Sequence, residues 1–181
     1  MKTNQRPHPT RPLFLALAAA LTLGATALAH AAEAVRIRAG TYKNHTDENG
    51  VVWLADQGFS GGDTIDRDGI VVAGTKTPSI YTAERYSMDS FSRPLPNGKY
   101  TVKLHFAETY EGIYGPGERV FSYKVEGKEF KDFDVTAKAG GVMRACVETV
   151  EVEVTDGKLD ITFTAKIENP QINALEIIPA S

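Results

Sequence analysis

The sequence predicts an all-β fold, an antiparallel sandwich or barrel, and three observations carry that prediction. Short segments alternate apolar and polar residues with a period of two. Turn signals such as Glu126-Gly127-Lys128 and Asp156-Gly157 separate them. No window of a dozen residues repeats apolar positions at the spacing of a long helix.

Taken in order, Val35-Arg36-Ile37-Arg38 alternates ahead of Ala39-Gly40, and 51–54 is a short apolar run. Over 100–107 the residues Tyr100, Val102, Leu104 and Phe106 face one way, while Thr101, Lys103 and His105 face the other, which reads as outward. Strands follow over 120–125 and 130–135. Over 148–154, Val150, Val152 and Val154 share a face, and over 159–164 Leu159, Ile161 and Phe163 point inward. A last strand spans 172–178. Loops are expected over 42–50, 57–69, 85–98, 108–118 and 136–144, with at most a short helical turn around 82–88. Ligand chemistry on such a scaffold sits in the loops.

Residues 1–12 carry Lys2, Arg6 and Arg11 with no acid, 13–29 run apolar, and Ala29-His30-Ala31 supplies small residues for cleavage. The apolar run is short for a membrane span, which needs about 20 residues. Residues 1–31 therefore read as a cleaved signal and 32–181 as a single exported domain, periplasmic or secreted, with no later segment able to span a bilayer. Losing those three bases takes the formal net charge from −3 to −6. An acidic surface without a basic run argues against nucleic acid and anionic lipid. The single cysteine, Cys146, has no disulfide partner and reads as a small buried side chain.

The tyrosines are the most informative candidates. Tyr100 and Tyr123 fall on strand positions and read as packing residues. Tyr81, Tyr86, Tyr110 and Tyr114 lie in two segments rich in turn residues. A ring on an exposed loop covers no core and asks for a partner. Its flat face suits the C–H face of a pyranose, and its hydroxyl can join the hydrogen bonding. Carboxylates and an amide stand nearby: Glu108 and Glu111 around Tyr110, and Glu168-Asn169 before Pro170. As a glycosidase pair, Glu108 and Glu111 lack any evident buried apolar setting that would raise one of them, so both read as solvated. Arg85 reads as an ion-pairing residue that ties its segment down. Asp66-Arg67-Asp68-Gly69 has the wrong register for a calcium loop, with Thr75 where a bidentate acid belongs. His45 and His105 lack metal-ligand spacing, and there is no nucleophile elbow. No cofactor, metal or catalytic residue is expected.

An ordered series of motifs carries a resemblance. It runs through Ile37-Arg38-Ala39-Gly40, Trp53-Leu54-Ala55-Asp56, Gly61-Gly62, Ile80-Tyr81-Thr82-Ala83-Glu84-Arg85-Tyr86 and Pro96-Asn97-Gly98-Lys99-Tyr100. It continues through Leu104-His105-Phe106-Ala107-Glu108-Thr109-Tyr110, Arg119-Val120-Phe121, Asp132-Phe133-Asp134 and Asn169-Pro170-Gln171-Ile172-Asn173-Ala174. In this order and spacing, from about 37 to 178, the chain resembles a malectin domain, the carbohydrate-binding jelly roll of the galactose-binding-like superfamily. The resemblance implies a β-sandwich that binds without catalysis. The family's animal lectin recognises α-linked diglucosides through loop aromatics and one acid. Tyr86 and Tyr110 match two of those aromatics. Glu111 stands where a further aromatic would be, and Glu168 replaces an aspartate before Asn169-Pro170. Phe59 is a loose candidate for the remaining ring.

The sequence thus points to an exported, non-catalytic module that binds a short oligosaccharide, such as an α-linked glucan. Tyr86, Tyr110, Glu111, Glu168 and Asn169 would form the site, with Phe59, Tyr81 and Tyr114 as secondary candidates. The alternative is a protein- or cell-wall-interaction module without sugar binding; a weak glycosidase ranks third.

Overall fold

The computed structural model describes residues 1–2 and 33–180; the expected export signal and its cleavage point lie outside the described residues. In chain order the elements are β1 (Val35–Arg38), β2 (His45–Thr46), β3 (Val52–Trp53), β4 (Phe59–Asp66), a 3-10 turn (Pro78–Tyr81), β5 (Ala83–Pro94), β6 (Gly98–Ala107), β7 (Val120–Val125), β8 (Lys128–Phe133), α1 (Val135–Ala139), β9 (Ala145–Val154), β10 (Lys158–Ile167), β11 (Gln171–Ile172) and β12 (Ala174–Pro179). No helix among the described residues is long and apolar enough to cross a membrane.

The strands form an antiparallel β-sandwich. One sheet has the order β1-β12-β6-β9; the other runs β11-β5-β10-β7-β8, and a hairpin of β2 and β3 stands apart. In the second sheet β5 is shared. Ser90 pairs with both Ser60 and Thr162, and Arg85 with both Thr64 and Ile172, so β4 takes one edge of β5 while β10 and β11 take the other. Period-two alternation in strands such as β6, β7 and β10 buries one row of side chains between the sheets. Leu104 and Phe106 of β6, Phe121 and Tyr123 of β7, and Leu159 and Ile161 of β10 meet Phe91 of β5 and Ile177 of β12 there. Burying each such side chain stabilises the fold by about 1.5–3 kcal/mol.

Two stretches depart from the expected loops, and both bear on the site. Residues 57–69 contain β4, and 85–98 lie largely within the long strand β5, so the turn expected at 82–88 is strand instead. β4 hides its nature because Gly61 and Gly62 lie at a register shift against β5. A Cβ at residue 62 would sit 2.1 Å from the Tyr86 carbonyl oxygen, and its φ of 70° belongs to the left-handed region, so only glycine lets the two strands close there. A smaller departure is α1, which takes Val135 from the end of the strand expected over 130–135 and then occupies the first part of the loop expected over 136–144. Asp134 caps it, accepting from the Ala137 amide at 2.9 Å, and Gly140 ends it in the left-handed conformation.

His105 corrects another expectation. It does face out of the sandwich, but that face is covered. A second apolar cluster holds Trp53 of β3, Val72, and Ile80 and Tyr81 of the 3-10 turn against Ala107 and Ala174. His105 is buried under it, edge-on to Trp53, with Nδ1 2.9 Å from the Tyr81 hydroxyl and Nε2 3.1 Å from Glu176. Cys146 is partly buried on β9, and burial together with Glu148 pushes its thiol up to about 12, which leaves it an inert packing group.

Candidate functional site

Four chain segments that are distant in sequence meet around one hollow of about 300 Å³. From β4 and its end come Ile65 and Arg67; from β5, Glu84 and Tyr86. The segment between β6 and β7 supplies Tyr110 and Arg119, and that between β10 and β11 supplies Glu168 and Asn169. Pairing of β5 with β4 on one edge and β11 on the other fixes three of these segments in register. Asn173 attaches the fourth: its Oδ1 accepts from the Ala107 amide at 2.7 Å, and its Nδ2 donates to the carbonyls of Tyr81 and Ala83 at 3.1 and 2.9 Å.

The floor of the hollow is charged and internally paired. Arg67 meets Glu84 at 3.0 Å, and the Thr109 hydroxyl donates to Glu84 at 2.8 Å while accepting from Arg67 at 3.1 Å. Arg119 donates through Nε to Glu108 at 2.6 Å and through Nη1 to the Asn169 carbonyl, while Glu108 also accepts from the Tyr110 amide at 3.1 Å. One guanidinium thereby joins the segment of Tyr110 to that of Glu168 and Asn169. Glu108 is 0% exposed, which corrects its reading as a solvated acid. Burial pushes its carboxyl above the usual range, with Arg119 opposing that rise. The charge of Glu108 is engaged with Arg119, so it is a structural member of the floor.

Above that floor lie the groups available to a ligand. The Tyr110 ring, on a residue 44% exposed, rests over Gly112, where a Cβ would stand 2.5 Å from its Cε1. Tyr86 is half-buried on β5 opposite Asp63. Glu168 has no ion-pair partner among the described residues and sits at φ 56°, a left-handed conformation costly for a residue with a Cβ. The arrangement offers ring faces, an apolar wall at Ile65, and a free acceptor carboxylate beside an amide side chain.

Of the sequence candidates, Tyr86, Tyr110, Glu168 and Asn169 come together. Glu111 is exposed and does not line the hollow. Tyr114 is 79% exposed and lies outside it, its amide held by Glu118 at 2.6 Å. Tyr81 is corrected to a buried residue of the second cluster. Phe59 is corrected to a core partner: its ring packs edge-on to Phe91 at 5.0 Å, with the Arg85 guanidinium 5.5 Å above it. Arg85 ties its strand down as expected, through Asp56 at 2.9 Å. The sequence reading missed Ile65, Arg67, Glu84 and Arg119. For Glu108 a signal existed, since the inward row Leu104, Phe106 continues onto it by the same period of two.

The family model of the malectin domain matches residues 33–175. A probable leucine-rich repeat receptor-like serine/threonine-protein kinase of Arabidopsis thaliana is 42% identical over 90 residues, covering 45% of this chain and 9% of that protein. Among solved structures, a β-glucuronidase of Bacteroides uniformis superposes with a TM-score of 0.74 at 16% identity, covering 82% of this chain and 18% of the enzyme. A chain in the structure of the plant peptide RALF23 in complex with FER and LLG2 gives a TM-score of 0.67 at 18% identity, covering 79% of this chain and 47% of that one. At such identities the structural likeness establishes the fold, and the chain spans only a small part of the kinase and of the glucuronidase.

Proposed function

This chain belongs to the malectin family, and we propose that its hollow binds a short carbohydrate, such as an α-linked glucose oligosaccharide, without cleaving it. The observation that carries the reading is the convergence of Tyr86, Tyr110, Glu168 and Asn169 on one concavity above a rigid, charge-paired floor. Ring faces would pack on the C–H faces of a pyranose, Glu168 would accept from vicinal hydroxyls, and Asn169 would both donate and accept. Cleavage would need an acid and a base flanking the bond, and the acids Glu84 and Glu108 are already committed to Arg67 and Arg119. Glu111, exposed beside the hollow, would act on the outer part of a ligand and shift preference away from the family's diglucoside. The sequence signal supports an exported setting.

Covering one ring face hides roughly 50 Å², about 1.3 kcal/mol at the usual coefficient. The two ring contacts, on Tyr86 and Tyr110, supply about 2.6 kcal/mol, so with hydrogen bonds from Glu168 and Asn169 offsetting the ordering costs the expected affinity is millimolar. A glycan array followed by titration calorimetry tests this, with Tyr110→Ala expected to weaken binding about tenfold. Binding unchanged in that variant would remove the site. A second reading, a protein- or peptide-interaction module, is supported by the peptide named in the FER complex and by the exposed Tyr114 ring. It would be favoured by a partner captured from the exporting cell that sugar does not displace.

A further inference from the structure

The floor of the hollow does not use its two guanidinium groups equally. Arg119 is engaged on both sides: Nε donates to Glu108 and Nη1 to the Asn169 carbonyl, and its side chain is 5% exposed. The Arg67 side chain is 18% exposed and is engaged through one nitrogen alone. Its Nη1 donates to Thr109 Oγ1 at 3.1 Å and lies 3.0 Å from Glu84 Oε1. Nε and Nη2 of Arg67 have no hydrogen-bond partner among the described residues, and they are not sealed away either. The buried side-chain polar atoms left without a partner there are Arg38 Nε, Tyr123 Oη and Gln171 Oε1. Arg67 thus keeps two free, accessible nitrogens while it lines the hollow.

Nε and Nη2 lie along one edge of the planar guanidinium and hold two N–H donors side by side. That fork suits a pair of adjacent acceptors, either the two oxygens of a carboxylate or those of two vicinal hydroxyls. Charge decides between them. Arg67 and Arg119 are matched by Glu84 and Glu108, and Glu168 adds a negative charge with no ion-pair partner among the described residues. A carboxylate would enter a hollow that is already negative. Hydroxyls carry no charge, and after accepting from Arg67 they can donate their own protons to an acceptor such as Glu168.

We propose that Arg67 is a specificity-determining residue whose free Nε–Nη2 edge donates to two vicinal hydroxyls of a neutral sugar, so that the site selects a ring with an unsubstituted diol. This rests on the carbohydrate reading of the hollow and adds to it the class of sugar and the residue that reads it. A sugar lacking one hydroxyl of that diol leaves a donor unpaired, and a site built on hydrogen bonds rejects such analogues. The test is NMR titration of the whole exported domain with maltose and with maltoses deoxygenated singly at each secondary hydroxyl, on the wild type and on Arg67→Lys. Lysine keeps a positive charge beside Glu84 but has no fork. In the wild type, loss of either of two adjacent hydroxyls should weaken binding about tenfold, and loss of the others should change little. Arg67→Lys should bind maltose about tenfold more weakly and should no longer distinguish it from those two deoxy sugars. Maltose affinity unchanged in Arg67→Lys, or the same deoxy losses in that variant, overturns the role of Arg67 and leaves the carbohydrate reading intact. So does a wild type indifferent to every single deoxygenation, whatever the variant does. A methyl α-glucuronide that binds the wild type more tightly than methyl α-glucoside overturns the neutral diol as the group read. No binding of maltose by the wild type overturns the α-glucose reading and the assignment of Arg67 with it.

Discussion

Between the sheets, Phe91, Phe106, Phe121 and Leu159 are fully buried among side chains of their own kind. Around the floor of the hollow, Glu84, Glu108 and Arg119 are buried almost as deeply and are ionisable. The two regions resist water by different physics. Apolar contacts are numerous, individually weak and tolerant of direction. The ion pairs are few and directional, and they gain little net stability because both partners lose hydration. Stability is thus concentrated in the sandwich, and position in the floor. Arg119 does not hold the domain together so much as set two ligand-facing segments at a fixed distance.

The sharpest way to break this contrast is to halve an ion pair. Arg119→Met leaves Glu108 buried without a counter-charge and should cost about 3–5 kcal/mol in urea denaturation. Adding Glu108→Gln should recover most of that loss, while ligand affinity stays low because Asn169 is no longer tethered. Leu104→Ala, in the sandwich, should cost a comparable 2–5 kcal/mol yet leave the affinity of the folded fraction unchanged. If the double variant bound normally, the positioning role of the floor would be lost.

Acid should separate the regions next. Burial would raise Asp47 and Glu176, but hydrogen bonds outweigh it: Trp53, Val51 and Asn49 donate to Asp47, and His105 and Arg36 to Glu176, holding both carboxyls below their ordinary range. Depressed carboxyls contribute stability that is complete above their unfolded values, about 4, and disappears as pH falls through the folded ones. Stability should therefore be flat with respect to these groups above about pH 5 and decline below pH 4. Trp53, the sole tryptophan, donates to Asp47 at 2.9 Å, so its emission should shift to the red in the same range. Emission and stability that hold constant down to pH 2 would refute the assignment.

The smallest effect concerns Glu168. Glycine accepts its φ of 56° without strain, so Glu168→Gly should leave stability unchanged or raise it by up to about 1 kcal/mol. Sugar affinity should fall in the same variant, measured by melting and calorimetry side by side. A loss of stability would mean that the carboxylate serves the fold.

The regions also differed in how plainly the sequence announced them. β6 and β7 were legible because their inward rows, Tyr100 to Phe106 and Phe121 to Val125, are apolar at every second position and cover one core. β5 was not. Its alternation is broken where Ser87 takes a φ of 57°, and Glu84 and Tyr86 put site chemistry where a strand would carry apolar residues. β4 was masked by its glycines. Tyr86, Tyr110, Glu168 and Asn169 were recognisable from residue type and motif. Arg67, Glu84 and Arg119 were not, because an isolated charge reads as surface until the chain that covers it is known. Tyr81 and His105 were misread for a related reason: the hairpin and 3-10 turn that bury them come from a stretch without a strong pattern of its own.

Gly112 contributes no side chain, and the Tyr110 ring occupies the space one would have filled. The aim of an aromatic is thus governed from two residues away by the smallest unit of protein chemistry, a single methyl. Descendants of this chain could redirect what they hold by exchanging that one position, while every strand, charge pair and packed ring of the frame stayed as it is.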